Sequence, residues 1–304
     1  MNINKPILAL TTGAVCISFS GVFVKTSEVP STVSAFYRVL FGSLFIVIAC
    51  FYHREFKLKS WRKNLQAVFC GLLFAGDLFA WHISIQYVGP GLATILGNFQ
   101  VFILSFIGII FFKEKVGLLY YLSVPLAVFG LFLIIGVDIA QLSKEYLKEI
   151  WFGLATACFY AAFLICLRNL QGKEKNAPVF YYQVILLLSC TIFLGGKVYV
   201  SGESFVIPSS TSLASLLGLG FLSQAVGWVI ISFSLPKVQA SLAGLILLLQ
   251  PSLSFVWDVL FFDRPTGLIG WLGLSIVMVA IYLSAFRKTD QTATHQVSVP
   301  ASNQ

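Results

Sequence analysis

Charge is scarce in this sequence. Of its 304 residues only 11% are Asp, Glu, Lys or Arg, while 58% are apolar. A soluble domain normally carries about a quarter charged residues, and a chain folded in water has to cover itself with polar atoms. The shortage excludes a soluble globular domain of this size; a lipid surround removes the difficulty. Histidine is scarcer still, at three residues, too few and too scattered for a cluster of metal ligands. The six cysteines, Cys16, Cys50, Cys70, Cys158, Cys166 and Cys190, include no CxxC pair and lie in or beside apolar runs. They read as small apolar residues, not as a disulfide or metal framework. No GxxxxGK[ST] loop is present, so this chain does not itself use ATP as a direct energy source. No cofactor is expected.

What the sequence has in abundance is long apolar stretches. A helix needs about 20 residues to cross the hydrocarbon of a bilayer. Ten stretches qualify: 6–25, 32–51, 64–87, 91–112, 117–137, 150–168, 178–200, 212–234, 241–262 and 267–286. The first follows Lys5 and lacks a small-x-small cleavage site, so it reads as a first helix and not as a signal peptide. After Arg287 the composition turns polar, and 287–304 reads as a disordered tail. The net charge of +8 sits in the gaps between apolar runs. With the N-terminus in the cytoplasm, fourteen basic residues fall inside, five (Lys25, Lys144, Lys148, Lys197, Arg264) fall outside, and Arg38 lies within a span. By the positive-inside rule both termini are expected to be cytoplasmic. The basic segment HREFKLKSWRK, residues 53–63, reads as an anchor to anionic lipid. No nucleic-acid motif accompanies it.

The chain also repeats itself. GLLFAGDLFAWHISIQ from Gly71 matches GLGFLSQAVGWVIISF from Gly218, aligning Gly71 with Gly218, Phe74 with Phe221, Trp81 with Trp228 and Ile83 with Ile230. Further on, Ala93 aligns with Ala243, Gln100 with Gln250, Phe111 and Phe112 with Phe261 and Phe262, and Gly117 with Gly267. Five helices per copy is an odd number, so the second copy would enter the membrane upside down. The expected fold is an all-α integral membrane protein of ten transmembrane helices, arranged as two inverted five-helix repeats around a central cavity. The divisions are 1–137 for the first repeat, 138–149 for an extracytoplasmic linker, 150–286 for the second repeat, and the tail.

Three segments carry a resemblance. YVGPGLATILGNFQVFILSFIGIIFFKEKVG (87–117), GWVIISFSLPKVQASLAGLILLLQPSLSFVWDVLFFDRPTG (227–267) and AFYRVLFG around Arg38 together resemble the drug/metabolite transporter superfamily, with the EamA-type family the nearest fit. The resemblance spans the chain to residue 286 and implies export or exchange of small metabolites through a central cavity. Gln250 stands where that family often has Glu, and Asp263-Arg264 occupies the turn that matches Glu114, so no carboxylate role carries over to those positions.

Polar residues within spans are candidate functional residues because bilayers make them costly. Asp77, deep in the third span, has to neutralise itself or find a cation, and is a candidate for substrate-ammonium binding or ion coupling. Asp77, Trp81 and Ser84 share one helix face; His82 lies about 140° around from Asp77 and reads as a packing or cavity residue. Arg38 can snorkel outwards or reach towards Asp77. Trp81 and Trp228 are candidate aromatic walls at equal depths from opposite faces. Gln100 and Gln250 offer uncharged donors and acceptors near the midplane, or serve as interhelical glue, with Asn98 and Gln224 as weaker candidates of the same kind. Pro251 is expected to bare a carbonyl one turn earlier. Phe19 and Tyr160 are candidate walls. Gly42, Gly71, Gly97, Gly218, Gly220 and Gly244 read as sites of close helix approach.

The expected function is that of a secondary transporter for small neutral or zwitterionic metabolites, amino acids first on the family resemblance, in a bacterial-type inner membrane. Its partners would be the solute, the bilayer and, as a candidate coupling ion, the proton. It would act as a monomer or weak dimer, without nucleic acid. A membrane-embedded enzyme would need paired carboxylates, a Ser–His pair or clustered histidines, and none is visible. A non-transporting sensor is the other alternative.

Overall fold

The computed structural model describes residues 5–56, 60–135, 146–172 and 178–286; the side chains of His82 and of residues 85–92, 146–150 and 285–286 lie outside that description. The tail 287–304 and most of the linker 138–149 fall outside it too. Among the described residues all regular secondary structure is helical. Nine helices are long and apolar enough to cross a bilayer: α1 (Lys5–Thr26), α2 (Ser31–Tyr52), α3 (Trp61–Trp81), α4 (Ala93–Ile110), α5 (Leu118–Ile135), α6 (Trp151–Gln171), α7 (Val179–Val200), α8 (Ser210–Lys237) and α9 (Ala240–Phe262). A tenth, α10 (Leu268–Ser284), is apolar and slightly shorter. All ten coincide with the expected stretches to within a few residues at most ends.

Helical backbone runs on from α3 into α4, from Trp61 to Asn98. Packing shows that both parts nevertheless meet α6 at nearly the same level. A Cβ on Gly76 would stand 3.0 Å from Phe159, and one on Gly97 would stand 3.1 Å from Thr156. A straight helix would separate residues 76 and 97 by about 31 Å, whereas 156 and 159 are about 4.5 Å apart along α6. The stretch from Trp61 to Asn98 is therefore not a straight rod and bends between α3 and α4.

The helices pair in a definite pattern. α3 packs on α6 and α7, and α8 packs on α1 and α2; α2 packs on α7, α4 on α9, and α5 on α10. Small residues permit the tightest crossings, since between lipid-exposed helices backbone proximity is a main source of attraction. At the α5–α10 crossing, a Cβ on Gly130 would lie 2.7 Å from the carbonyl oxygen of Gly273, and one on Gly273 would lie 2.6 Å from that of Gly130.

Four helices depart from regular winding. α1 breaks at Phe19, α4 at Phe99, and α9 at residues 247–248. In α8 the stretch Leu219–Gly227 is wound as a π-helix, and the Trp228 amide reaches back five residues to Ser223 O. Pro251 falls in the first turn of the second part of α9 (Leu249–Phe262), where the missing donor costs nothing. The carbonyl expected to be bared there is not free: Leu247 O accepts from the Gln250 amide at 3.1 Å, because the chain tightens into a shorter-range turn at the break.

Candidate functional site

Helices α2, α3, α6 and α8 converge on a mixed polar and aromatic cluster. Its centre is Arg38, whose Nε donates to Gln224 Oε1 at 2.9 Å. Local sequence makes this bond possible. Gly42 sits one turn along the same face of α2, and a Cβ there would fall 2.5 Å from Gln224 Cγ. Glycine thus leaves the room in which the amide lies across α2 to meet the guanidinium. Gln224 itself is carried by the π-wound stretch, an irregularity often found at functional sites.

Aromatic rings form one side of the cluster. Phe74 and Phe163 stack at 4.7 Å, Trp228 stands edge-on to them at 5.5 and 5.0 Å, and Tyr160 lies 6.4 Å from Phe163 and 6.3 Å from Trp228. The Arg38 guanidinium lies 6.0 Å from the centre of the Phe74 ring, at the outer limit for a cation–π contact. Asp77, 9% exposed, and Tyr160 lie within electrostatic reach of Arg38. Two polar atoms here are buried without a partner: Trp228 Nε1 and the Tyr160 hydroxyl. Leaving a buried donor unsatisfied costs about 1–3 kcal/mol. Such atoms are well suited to meet a solute.

The candidates from the sequence divide. Arg38, Asp77, Tyr160, Gln224 and Trp228 come together. Arg38 neither snorkels out nor pairs directly with Asp77; its hydrogen bond goes to Gln224. Ser84 is fully buried with an unpartnered Oγ. Trp81 is half-buried and engaged with neighbours. The side chain of His82 lies outside the described residues. Gln100 is fully buried, and its Nε2 donates to Gly244 O at 3.3 Å, tying α4 to α9 beside both helix breaks, while its Oε1 has no partner. Asn98 donates back to Thr94 O on its own helix at 2.8 Å. Gln250 is half-buried in the first turn of the second part of α9. Phe19 stacks on Trp257 at 4.4 Å, with Trp257 Nε1 bonded to Ser18 Oγ, so it seals α1 against α9 instead of lining the cluster.

Sequence reading missed Phe163 and the part played by Phe74. The repeat aligns Phe74 with Phe221, but Phe221 is 51% exposed whereas Phe74 is 2% exposed, so alignment alone gave no way to choose. It did hold one unused signal: the same register places Asp77 opposite Gln224, and both flank Arg38. A buried bond between Gln183 and Ser232, joining α7 to α8, was also not anticipated.

Each end of the bundle has its own tie. At one end the Glu114 carboxylate accepts from the amides of Ala240 and Ser241 at 2.7 and 3.1 Å and from Ser241 Oγ at 2.7 Å. It thereby caps the start of α9, where free amides and the helix dipole favour an anion. Arg168 lies 3.8 Å away, donates to Val238 O at 2.6 Å and covers the Phe112 ring. The Tyr120 hydroxyl lies 2.5 Å from Ser105 Oγ and donates to Ser241 O at 3.0 Å. At the other end Asp258 pairs with Lys25 at 2.7 Å and with Arg264 at 3.6 Å, and Arg264 donates to Ile134 O. A shallow depression of about 500 Å³, lined by Arg62, Leu65, Gln66, Phe69 and Leu72, lies on the outward face of α3, apart from the central cluster. Among the described residues no group of three His, Cys, Asp or Glu could hold a metal ion.

The description "EamA-like transporter family" matches residues 4–136 and again 147–286. The chain belongs to the EamA-like transporter family. It is 21% identical over 305 residues to an uncharacterized transporter of Bacillus subtilis (strain 168), YxxF, covering 94% of this chain and 91% of that protein. It is 26% identical over 302 residues to an uncharacterized inner membrane transporter of Escherichia coli (strain K12), YhbE, covering 92% and 90%. A protein of known crystal structure superposes with a TM-score of 0.79 at 13% identity, over 93% of this chain and 98% of the other, which shows a shared fold. The chain is a multi-pass membrane transporter.

Proposed function

We propose that this transporter carries small neutral or zwitterionic organic solutes, amino acids and related compounds first, across a bacterial-type inner membrane by alternating access of the central cluster. One observation carries the reading. Arg38, Asp77, Gln224, Tyr160 and Trp228 gather polar and aromatic groups from four helices deep in an otherwise apolar bundle, with two buried donors left unpartnered. The absence of a cluster of Lys or Arg among them disfavours phosphorylated solutes, which call for several cations.

The helix pairings support two inverted repeats. If α1–α5 and α6–α10 exchange places under a two-fold axis in the membrane plane, then α3 on α6 corresponds to α8 on α1, and α3 on α7 to α8 on α2; α2 with α7, α4 with α9, and α5 with α10 correspond to themselves. That symmetry would give two states of similar energy, one open to each side. The basic residues orient both termini, and the Glu114 end, towards the cytoplasm. Asp77 is the candidate site for proton coupling.

The test begins with thermal stabilisation of the purified protein against amino acids, nucleosides, sugars and vitamins, followed by uptake of each hit into proteoliposomes. Saturable uptake, weakened at least tenfold by Trp228→Ala with the protein still folded, is the expected result. If hits bind without flux, the protein is a sensor; if a hit is chemically altered, it is an enzyme. Uptake that loses its pH-gradient dependence in Asp77→Asn would assign coupling to that carboxylate, and unchanged dependence would remove it.

A further inference from the structure

The central cluster holds one basic and one acidic side chain from different helices. Arg38 comes from α2 and Asp77 from α3; the guanidinium lies 6.0 Å from the ring of Phe74, one helical turn before Asp77, yet it spends its hydrogen bond on the neutral Gln224. Gln224 and Asp77 occupy matching positions of the internal repeat, so Arg38 bonds the uncharged member of a pair whose other member is an acid. Beside them the buried Trp228 Nε1 and Tyr160 hydroxyl are unpartnered, and the rings of Phe74, Phe163 and Trp228 supply an apolar wall.

We infer that Arg38 and Asp77 together select the charge type of the transported solute, admitting zwitterions whose carboxylate displaces the Gln224 amide oxygen from Arg38 while their ammonium meets Asp77. The inference rests on the transporter reading of the same cluster. Its physical basis is the cost of an unpaired buried charge. A zwitterion satisfies both groups at once. A solute with a single charge leaves the opposite group buried and unmatched, and losing one partner of a buried charge pair is strongly unfavourable. The aromatic wall, by contrast, accepts apolar bodies of many shapes and discriminates weakly. The two charges therefore set the class of solute, and the wall sets its bulk.

The experiment uses the full chain in proteoliposomes and two matched series that share a carbon skeleton: phenylalanine, 3-phenylpropanoate and phenethylamine, and leucine, 4-methylpentanoate and isopentylamine. In the wild-type protein the zwitterion of at least one series is expected to be taken up, or to compete, about tenfold better than its anion and amine, the factor that about 1.4 kcal/mol represents. Asp77→Asn is expected to move the preference to the carboxylate, and Arg38→Gln to move it to the amine. Gln224→Glu, which sets a second carboxylate beside Arg38, is expected to favour the amine while leaving both original charges in place; it serves where the other two variants fail to elute as folded protein. A uniform loss for all three members of a series in folded variants, or a wild type that carries only uncharged sugars or nucleosides, would overturn the inference while leaving the transporter reading intact. No uptake of any solute by the wild-type protein, across the broader panel as well, would overturn both.

Discussion

The two ends of the bundle are tied by the same kinds of residue with very different consequences. At one end Arg168 and Glu114 are 15% and 6% exposed; at the other Lys25 and Asp258 are 50% and 23% exposed. The Lys25–Asp258 pair is the shorter, at 2.7 Å against 3.8 Å, yet distance is a poor guide to strength here. An exposed pair is screened by water and contributes about 0–1 kcal/mol. Glu114 works mainly through the start of α9, where it satisfies two backbone amides and a hydroxyl, and removing such an acceptor leaves buried donors with nothing to bind. The lesson is that a carboxylate joined to a helix terminus holds two elements together more firmly than a closer pair of side chains in solvent.

This comparison can be broken at three points. The largest effect is expected for Glu114→Ala, which frees the start of α9 and leaves Arg168 without its anion: a loss of about 3–5 kcal/mol, typical of breaking a buried charged pair, read as a fall in the midpoint of thermal unfolding in detergent. A change under 1 kcal/mol would mean that this end is no firmer than the other. Tyr120→Phe removes the hydroxyl shared between Ser105 and Ser241 and is expected to cost about 1 kcal/mol by the same measurement. Lys25→Ala should be the mildest, within about 1 kcal/mol and shrinking further as salt is added. If Lys25→Ala proved costlier than Glu114→Ala, the ranking of the two ends would be reversed.

Much of this was legible in the residues, for specific reasons. The helices could be read because a bilayer imposes a length and a polarity on each span, and neither depends on what packs against it. Asp77, Arg38 and Trp228 stood out because polar or large aromatic groups at that depth are expensive unless used. Phe163 did not stand out, since one phenylalanine among 29 in apolar helices carries no label; only its stacking on Phe74 and Trp228 identifies it. Glu114 was noticed as a family position, but its partner, the start of α9, lies 126 residues away, and no local pattern joins them. Gln100 and Asn98 looked alike in sequence, whereas one bridges to α9 and the other bonds to its own helix.

By itself, then, the sequence determined the solvent of this protein, the number and placement of its helices, its kinship with a transporter family and the short set of polar residues worth following. Those properties are local or additive, fixed by composition and by the periodicity of each segment. The tertiary structure alone decided that Arg38 turns to Gln224, that Phe19 seals a helix seam, that Phe74 is buried while its repeat partner Phe221 faces outwards, and that one end of the bundle is capped while the other is merely paired. Those outcomes depend on which helices meet and at what distance, and in a bundle of similarly apolar helices that choice is made by close packing at small residues and by the few buried hydrogen bonds, which no single segment contains.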